Sequence, residues 1–302
     1  MSKIKNEHYV PQSYLRKFTS DGKFLFVFDK TTKRSLLHHT NIKKLACEGG
    51  FYDLPGDDSQ LVEKILGKSF DENYPTWIDD LLATVNNGQD INQRQKENIA
   101  LCMTNLLLRT KKYRDHHKEI VEETFSAMLK IILWAKASFG GLELDKPLDA
   151  YRVEYNQKMA PVDQARSMFG SGMFRINDIL CSHIWVVGKN TTENPLYTSD
   201  NPVIWDTHKE YPPNRGFGLA SGGIEVVFPL TPEYVIILLE RTFFQEYEER
   251  DCKCIDLNSE DIKYYNGFQV FHSYRQIYCP SSDFNLAEDI CNQYPQVCPR
   301  KK

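Results

Sequence analysis

The run Tyr234-Val235-Ile236-Ile237-Leu238-Leu239 constrains this chain most, because it is apolar at every position. A half-exposed strand alternates apolar and polar residues, so an unbroken short run predicts a central strand buried on both faces. Thr231-Pro232 separates it from Ile224-Glu225-Val226-Val227-Phe228-Pro229-Leu230, a second strand. Ile184-Trp185-Val186-Val187 is a third candidate upstream.

The most over-specified turn lies between these strands. In Leu196-Tyr197-Thr198-Ser199-Asp200-Asn201-Pro202-Val203-Ile204-Trp205, apolar residues flank a polar knot that a proline closes. Pro202 biases Asn201 toward extended backbone, and Asp and Asn readily bond their own backbone in turns. Two short strands meeting at a sharp corner follow, with Asp200 and Asn201 displayed there.

The rest of the chain predicts an α+β fold. Pro11 precedes Tyr14, Leu15 and Phe18 at helical spacing, which suggests a short helix. Residues 23–29 read as a strand, residues 35–40 as its return, and Phe24, Phe26 and Phe28 as a packed face. Residues 57–139 carry helical periodicity. Pro75 divides one helix, and Asn92 caps another that ends near Arg109. A strongly apolar helix over 115–138 stops at Gly140-Gly141. Residues 149–169 read as a helix broken at Pro161, with β structure resuming after Gly172. Residues 207–223 form a Gly-, Pro- and Asn-rich loop, and residues 259–272 a helix capped by Ser259. We therefore expect one domain over 1–302. It comprises an N-terminal arm and β-hairpin (1–56), a multi-helix block (57–170), and a mixed or antiparallel C-terminal sheet with flanking helices (171–302).

Composition excludes little. Net charge is −4 over 302 residues, so nucleic-acid binding would need a local basic face. No apolar run reaches the roughly 18 to 20 residues of a membrane span, and the first six residues lack the apolar core of a secretory signal. A cytoplasmic location is the expectation. The eight cysteines include one close pair, Cys252-Lys253-Cys254, whose spacing suits zinc poorly; reduced thiols are expected.

Several separated motifs resemble one family. His8-Tyr9-Val10-Pro11-Gln12 with Tyr14-Leu15-Arg16 and Phe18, Phe51-Tyr52, Arg109-Thr110, Thr198-Ser199-Asp200-Asn201-Pro202-Val203 and Phe228-Pro229-Leu230-Thr231-Pro232 stand in the order of domain-of-unknown-function family 4238. The resemblance runs from His8 to about Arg275 and implies no activity. The chain departs at Lys111, where the family usually has proline.

Candidate site residues follow from chemistry. His8 can serve as a general base or metal ligand, with Gln12 four residues on; the bland alternative is that both anchor the N-terminal arm. The His-Tyr-Val-Pro run also faintly resembles the His-containing strand of HNH nucleases, without their downstream residues. Asp200 and Asn201 can hold a divalent metal ion or orient water, or they can simply form an Asx turn. Arg109 suits phosphate or the end of a helix. Asn266 sits mid-helix, where asparagine is disfavoured, and can reach a site. Glu63 and Glu72 can project toward the same cleft, though a solvated helix face explains both more simply, and His38-His39 and His116-His117 read as surface residues.

Two functions remain. The first is a hydrolase acting on a phosphate-containing substrate, nucleotide or nucleic acid, with His8, Asp200 and Asn201 catalytic and Gln12, Arg109 and Asn266 binding substrate. A divalent metal ion would assist it, and a defence role is compatible with it. The second is a non-catalytic binding or sensing protein whose motif residues are structural. Convergence in one cleft favours the first; local satisfaction by backbone bonds favours the second.

Overall fold

The computed structural model describes residues 5–36, 38–57, 59–212 and 216–299. Strand β1 (Glu7–His8) leads through Pro11 into α1 (Gln12–Leu15). Strand β2 (Phe24–Asp29) then pairs with two short returning pieces, β3 (Arg34–Ser35) and β4 (Thr40–Asn41), rather than one continuous strand. Strand β5 (Cys47–Glu48) comes back antiparallel to β1. The side of β2 facing the main core is Leu25 and Val27; of the aromatic set, Phe28 packs on Phe284, and Phe24 and Phe26 lie against His39.

The central block is helical. Helix α2 (Leu61–Leu66) widens into a π turn over Gly67–Asp71. Helix α3 (Tyr74–Asn86) carries Pro75 in its first turn, so this proline starts a helix instead of dividing one. Helix α4 (Gln93–Arg109) opens on a reciprocal cap: Asn92 accepts the Gln95 N–H and Gln95 accepts the Asn92 N–H. Thr110 ends α4 and caps α5 (Lys111–Phe139), which begins four residues earlier than expected. Residues 151–156 are not helical; α6 (Ala160–Phe169) starts with Pro161 in its first turn. Helix α7 (Ser171–Ser182) stands where β structure was expected, because Met173 and Leu180 recur two turns apart on its buried face.

The C-terminal part builds two sheets. Strands β6 (Ile184–Asn190), β7 (Thr198–Ser199), β8 (Ile204–Thr207), β9 (Ile224–Pro229), β10 (Tyr234–Leu239) and β11 (Lys253–Leu257) follow in order. The first sheet runs β11-β6-β10-β9-β8, antiparallel except for the parallel β11–β6 edge. Strand β10 is buried along its whole length. Ile236 and Leu238 enter the main core beneath the helical block, and Val235 and Ile237 enter a second cluster with Ile262 of α8 (Ser259–His272). Asn258, not Ser259, caps α8. Strand β12 (Gln276–Cys279) lies between β2 and β7, so one sheet joins the N-terminal strand to the C-terminal one. Helix α9 (Asn285–Gln293) covers its outer face. All eight cysteines are free thiols, and among the described residues no helix is long and apolar enough to cross a membrane.

Candidate functional site

The polar residues singled out in sequence meet around the α4–α5 junction. Arg109, the last residue of α4, is fully buried. Its Nη1 donates to Asp71 Oδ1 at 2.6 Å and its Nη2 donates to the His8 carbonyl at 2.6 Å, with a longer bond to Asp71 Oδ2 at 3.4 Å. Asp71 reaches it from the π turn, a local widening often found where a side chain is specially aimed. Tyr52 and Asn105 complete the shell. Two further carboxylates lie close. Glu7 accepts the Tyr52 N–H at 2.6 Å and Gln60 Nε2 at 2.9 Å. Burial pushes Glu63 up to about 7, with Asp71 and Glu7 adding to the rise and Arg109 opposing it. Burial holds His8 below the usual imidazole range, so the ring is neutral at pH 7, and its buried Nε2 has no hydrogen-bond partner. Gln12 stands half-buried at the start of α1. The guanidinium thus ties the N-terminal arm to α4 with its donors engaged.

The Asp-Asn-Pro corner joins β7 to β8 as expected, but Asp200 and Asn201 are buried rather than displayed. The reason is a backbone that needs them. Asp200 accepts N–H groups from Tyr274, Arg275 and Gln276 at 3.0, 2.8 and 2.9 Å, fixing the turn into β12. Burial pushes this carboxyl up to about 6, against those three donors and the charge of Lys30. Asn201 accepts the Thr110 hydroxyl at 3.3 Å and donates to the His272 carbonyl at 3.0 Å. Asn266 is a bracket elsewhere: it accepts the Tyr197 N–H at 2.7 Å and donates to the Pro195 carbonyl at 3.0 Å.

Beside Asn201 the packing opens into a cavity of about 330 Å³. Leu107 and Leu108 of α4, Ile176 of α7, Val203, Ile204 and Trp205 of the corner, and Leu219 give it apolar walls. Polar lining comes from Thr110, Lys112, Asn201 and His272, which hydrogen bonds tie to one another, and from Tyr113 and His116 in the first two turns of α5. Lys112 Nζ donates to the His272 carbonyl at 2.7 Å, at the C-terminus of α8, leaving two further ammonium protons. Burial, then the charge of Lys30, pushes Lys112 down to about 8. His272 Nε2 lies 3.2 Å from Asp206 Oδ2. Burial and the charge of Lys112 push this ring down to about 4, with Asp206 opposing the fall, so the imidazole is neutral at pH 7. Among the described residues no group of three or more His, Cys, Asp or Glu side chains is arranged to hold a metal ion.

His8 meets Arg109, and Thr110 meets Asn201, so three of the sequence motifs converge; Asn266 does not join them. Sequence reasoning passed over Lys112, Asp206 and His272. Lys111, the point of departure, is the first residue of α5, a position that favours proline, and its side chain pairs with Glu48 at 2.6 Å.

An α+β protein with a polar tie at a helix junction and a small pocket beside it is the class that fold and site define. The family model described as "Protein of unknown function (DUF4238)" matches residues 6–283, and the chain belongs to that family. No curated protein and no solved structure matches it.

Proposed function

We propose that this chain is a cytoplasmic binding or sensing protein for a small ligand with an apolar body and one anionic group, phosphate or carboxylate. The motif residues His8, Arg109, Asp200 and Asn201 act as its framework. The observation that carries this reading is the α4–α5 cavity. Its walls are apolar, and its polar lining brings together Lys112, the first turn of the 29-residue α5 and its positive dipole end. Its volume is at the small end of ligand pockets, about 300–1,000 Å³, which suits a mononucleotide fragment or a phosphorylated metabolite better than a nucleic-acid strand. The satisfied bonds of Asp200, Asn201 and Asn266 support framework roles for those residues. Eight free thiols support the cytoplasmic placement.

A hydrolase acting on a phosphate-containing substrate is the second reading. His272 favours it: a neutral imidazole lines the pocket, with Asp206 Oδ2 3.2 Å from its Nε2, and is unprotonated at pH 7 as a general base must be. Isothermal calorimetry with nucleotides, sugar phosphates and short oligonucleotides tests both, followed by product analysis on whatever binds. A small anion whose affinity falls at least about tenfold in Trp205→Ala or Lys112→Met supports the pocket. Turnover lost in His272→Ala with binding kept would favour the hydrolase. Binding unaffected by either pocket variant sinks both readings as drawn.

A further inference from the structure

The first sheet has a second opening, on the face turned away from the helical block. A cavity of about 270 Å³ lies there, with no lining residue in common with the α4–α5 pocket. Strands β6, β10 and β11 line it with Val186, Ile237, Leu239, Ile255 and Leu257. Its aromatic lining comes from two segments: Phe244 and Tyr247, at the short helical turn Gln245–Arg250, and Tyr264 and Tyr265 of α8. Within each pair the rings meet edge to face, at 72° and 77°, so two aromatic corners border one small space.

A buried acid lines the same space. Glu225 of β9 is 4 % exposed. Its Oε2 accepts the Tyr264 hydroxyl at 2.7 Å and His208 Nε2 at 2.8 Å, and the Tyr265 hydroxyl also bonds this carboxylate. Burial, then Glu225, pushes both phenols well above their usual range, so they are neutral donors at pH 7. Of these three partners only His208 can carry a balancing charge, and its side chain is 42 % exposed. Asp256 and Asp261 also line the cavity. Three acids therefore stand against one permanent cation, Arg250, and one titrating ring.

We infer that this cavity binds a small quaternary ammonium ion. Aromatic rings around a poorly solvated space attract cations through their quadrupoles, and the chain already uses one of them: Arg250 Cζ lies 5.0 Å from the Tyr247 ring centroid. The carboxylate attracts through space but has few acceptor positions left, because three donors engage it. A primary amine or a sugar hydroxyl needs such a position to replace its bonds to water. A quaternary ammonium has no N–H to satisfy. Size agrees: the cavity lies just below the usual volume of ligand pockets and suits an ion as small as choline.

Isothermal calorimetry on the full chain tests this with choline and with dimethylbutanol, its neutral isostere, in which carbon replaces the charged nitrogen. Choline is expected to bind with a dissociation constant below about 1 mM, and the alcohol at least about tenfold more weakly. Tyr247→Leu removes an aromatic face without touching charge. Glu225→Gln removes the charge but keeps an acceptor for Tyr264 and His208. Each should weaken choline at least about tenfold. Arg250→Ala, at an exposed position, should tighten it severalfold by removing a competing cation from Tyr247. No binding up to about 10 mM choline overturns the inference, and so does equal affinity for the alcohol. Choline binding unmoved by Tyr247→Leu and by Arg250→Ala overturns the placement, whether or not the Glu225 variant folds. Glucose bound in preference to choline, and lost in Tyr247→Leu, would overturn it in favour of sugar stacking. A trimethyllysine peptide preferred over choline, with the same variant dependence, would keep the chemistry and overturn the free ion as its carrier.

Discussion

Arg109 and Lys112 stand on either side of Thr110, three positions apart, and both are cations drawn out of water. Arg109 is surrounded by more negative charge than it carries: Asp71 binds it directly, with Glu63 and Glu7 behind. Lys112 has one carbonyl, a neighbouring lysine, an open cavity, and the charges of Asp200 and Asp206, which offset its burial only in part. The pKa directions record the difference. Asp71 and two tyrosines raise Arg109 against its burial, whereas burial and Lys30 lower Lys112 to about 8. A buried charge with its counter-charge in place holds a structure together; one held beside a void is suited to accept a counter-charge from outside.

The largest effect that sharpens this comparison is Arg109→Met. It leaves Asp71 partly buried and without its ion-pair partner, beside a Glu63 that is already costly to ionise. Removing one member of a buried pair costs about 3–5 kcal/mol, so the urea midpoint should fall steeply and the N-terminal arm should lose hydrogen-exchange protection. A loss under about 1 kcal/mol would mean the tie is dispensable.

Asp200→Ala comes next. It strands three backbone N–H groups that now share one carboxylate, and the expected cost is about 2–4 kcal/mol. Asp200→Asn, which keeps an acceptor, should recover part of it in the same chemical-denaturation series. Complete loss of ligand binding in an Asp200→Asn variant of native stability would instead place the corner in the binding machinery.

These two residues show what the sequence made legible. The polar corner was visible because Asp-Asn-Pro overspecifies a turn, and the Asn92 and Pro11 signals placed the starts of α4 and α1. Burial of Asp200 was hidden, because its partners are backbone amides more than seventy residues away and carry no side-chain signature. The same holds for the pocket. Lys112 resembles any lysine at a helix start, and only the packing of α8 and the corner against α5 gives it a carbonyl and a cavity. Helix α7 was missed because its Gly- and Ser-rich opening reads as a loop, while the buried side of the helix lies against α4 and α6. Elements built from local pattern were readable; the site, assembled from contacts distant in sequence, was not.

A smaller effect has the opposite sign. Glu63 has a folded pKa of about 7, above the roughly 4.3 of an unfolded chain. The native state therefore keeps a proton that the unfolded chain releases, and Glu63 adds stability as pH falls from about 7 to 4. Above pH 7 its ionised form is a net cost. Glu63→Gln should stabilise by about 1–2 kcal/mol at pH 8, discounted for partial solvent screening, with a smaller gain at pH 5. Equal urea midpoints for variant and wild type at both pH values would show that Glu63 is not strained by its neighbours.

The smallest stability effect expected is that of Lys112→Met, and it is the most informative. The variant removes a desolvated ammonium but keeps the apolar stem that packs along the cavity, and it gives up one bond to the end of α8. These contributions oppose each other, so the net change should stay within about 1 kcal/mol. Anion binding should fall sharply in the same protein. In wild type, affinity for an anion should decline as pH rises from 7 to 9, because Lys112 loses its proton near 8, and that slope should vanish in the variant. Calorimetric titrations at several pH values read both. If Lys112→Met instead destabilises the fold as much as Arg109→Met and leaves binding intact, Lys112 is a second structural tie, holding α8 as Arg109 holds the arm. The contrast across Thr110 would then be one of degree, and the cavity would need another explanation.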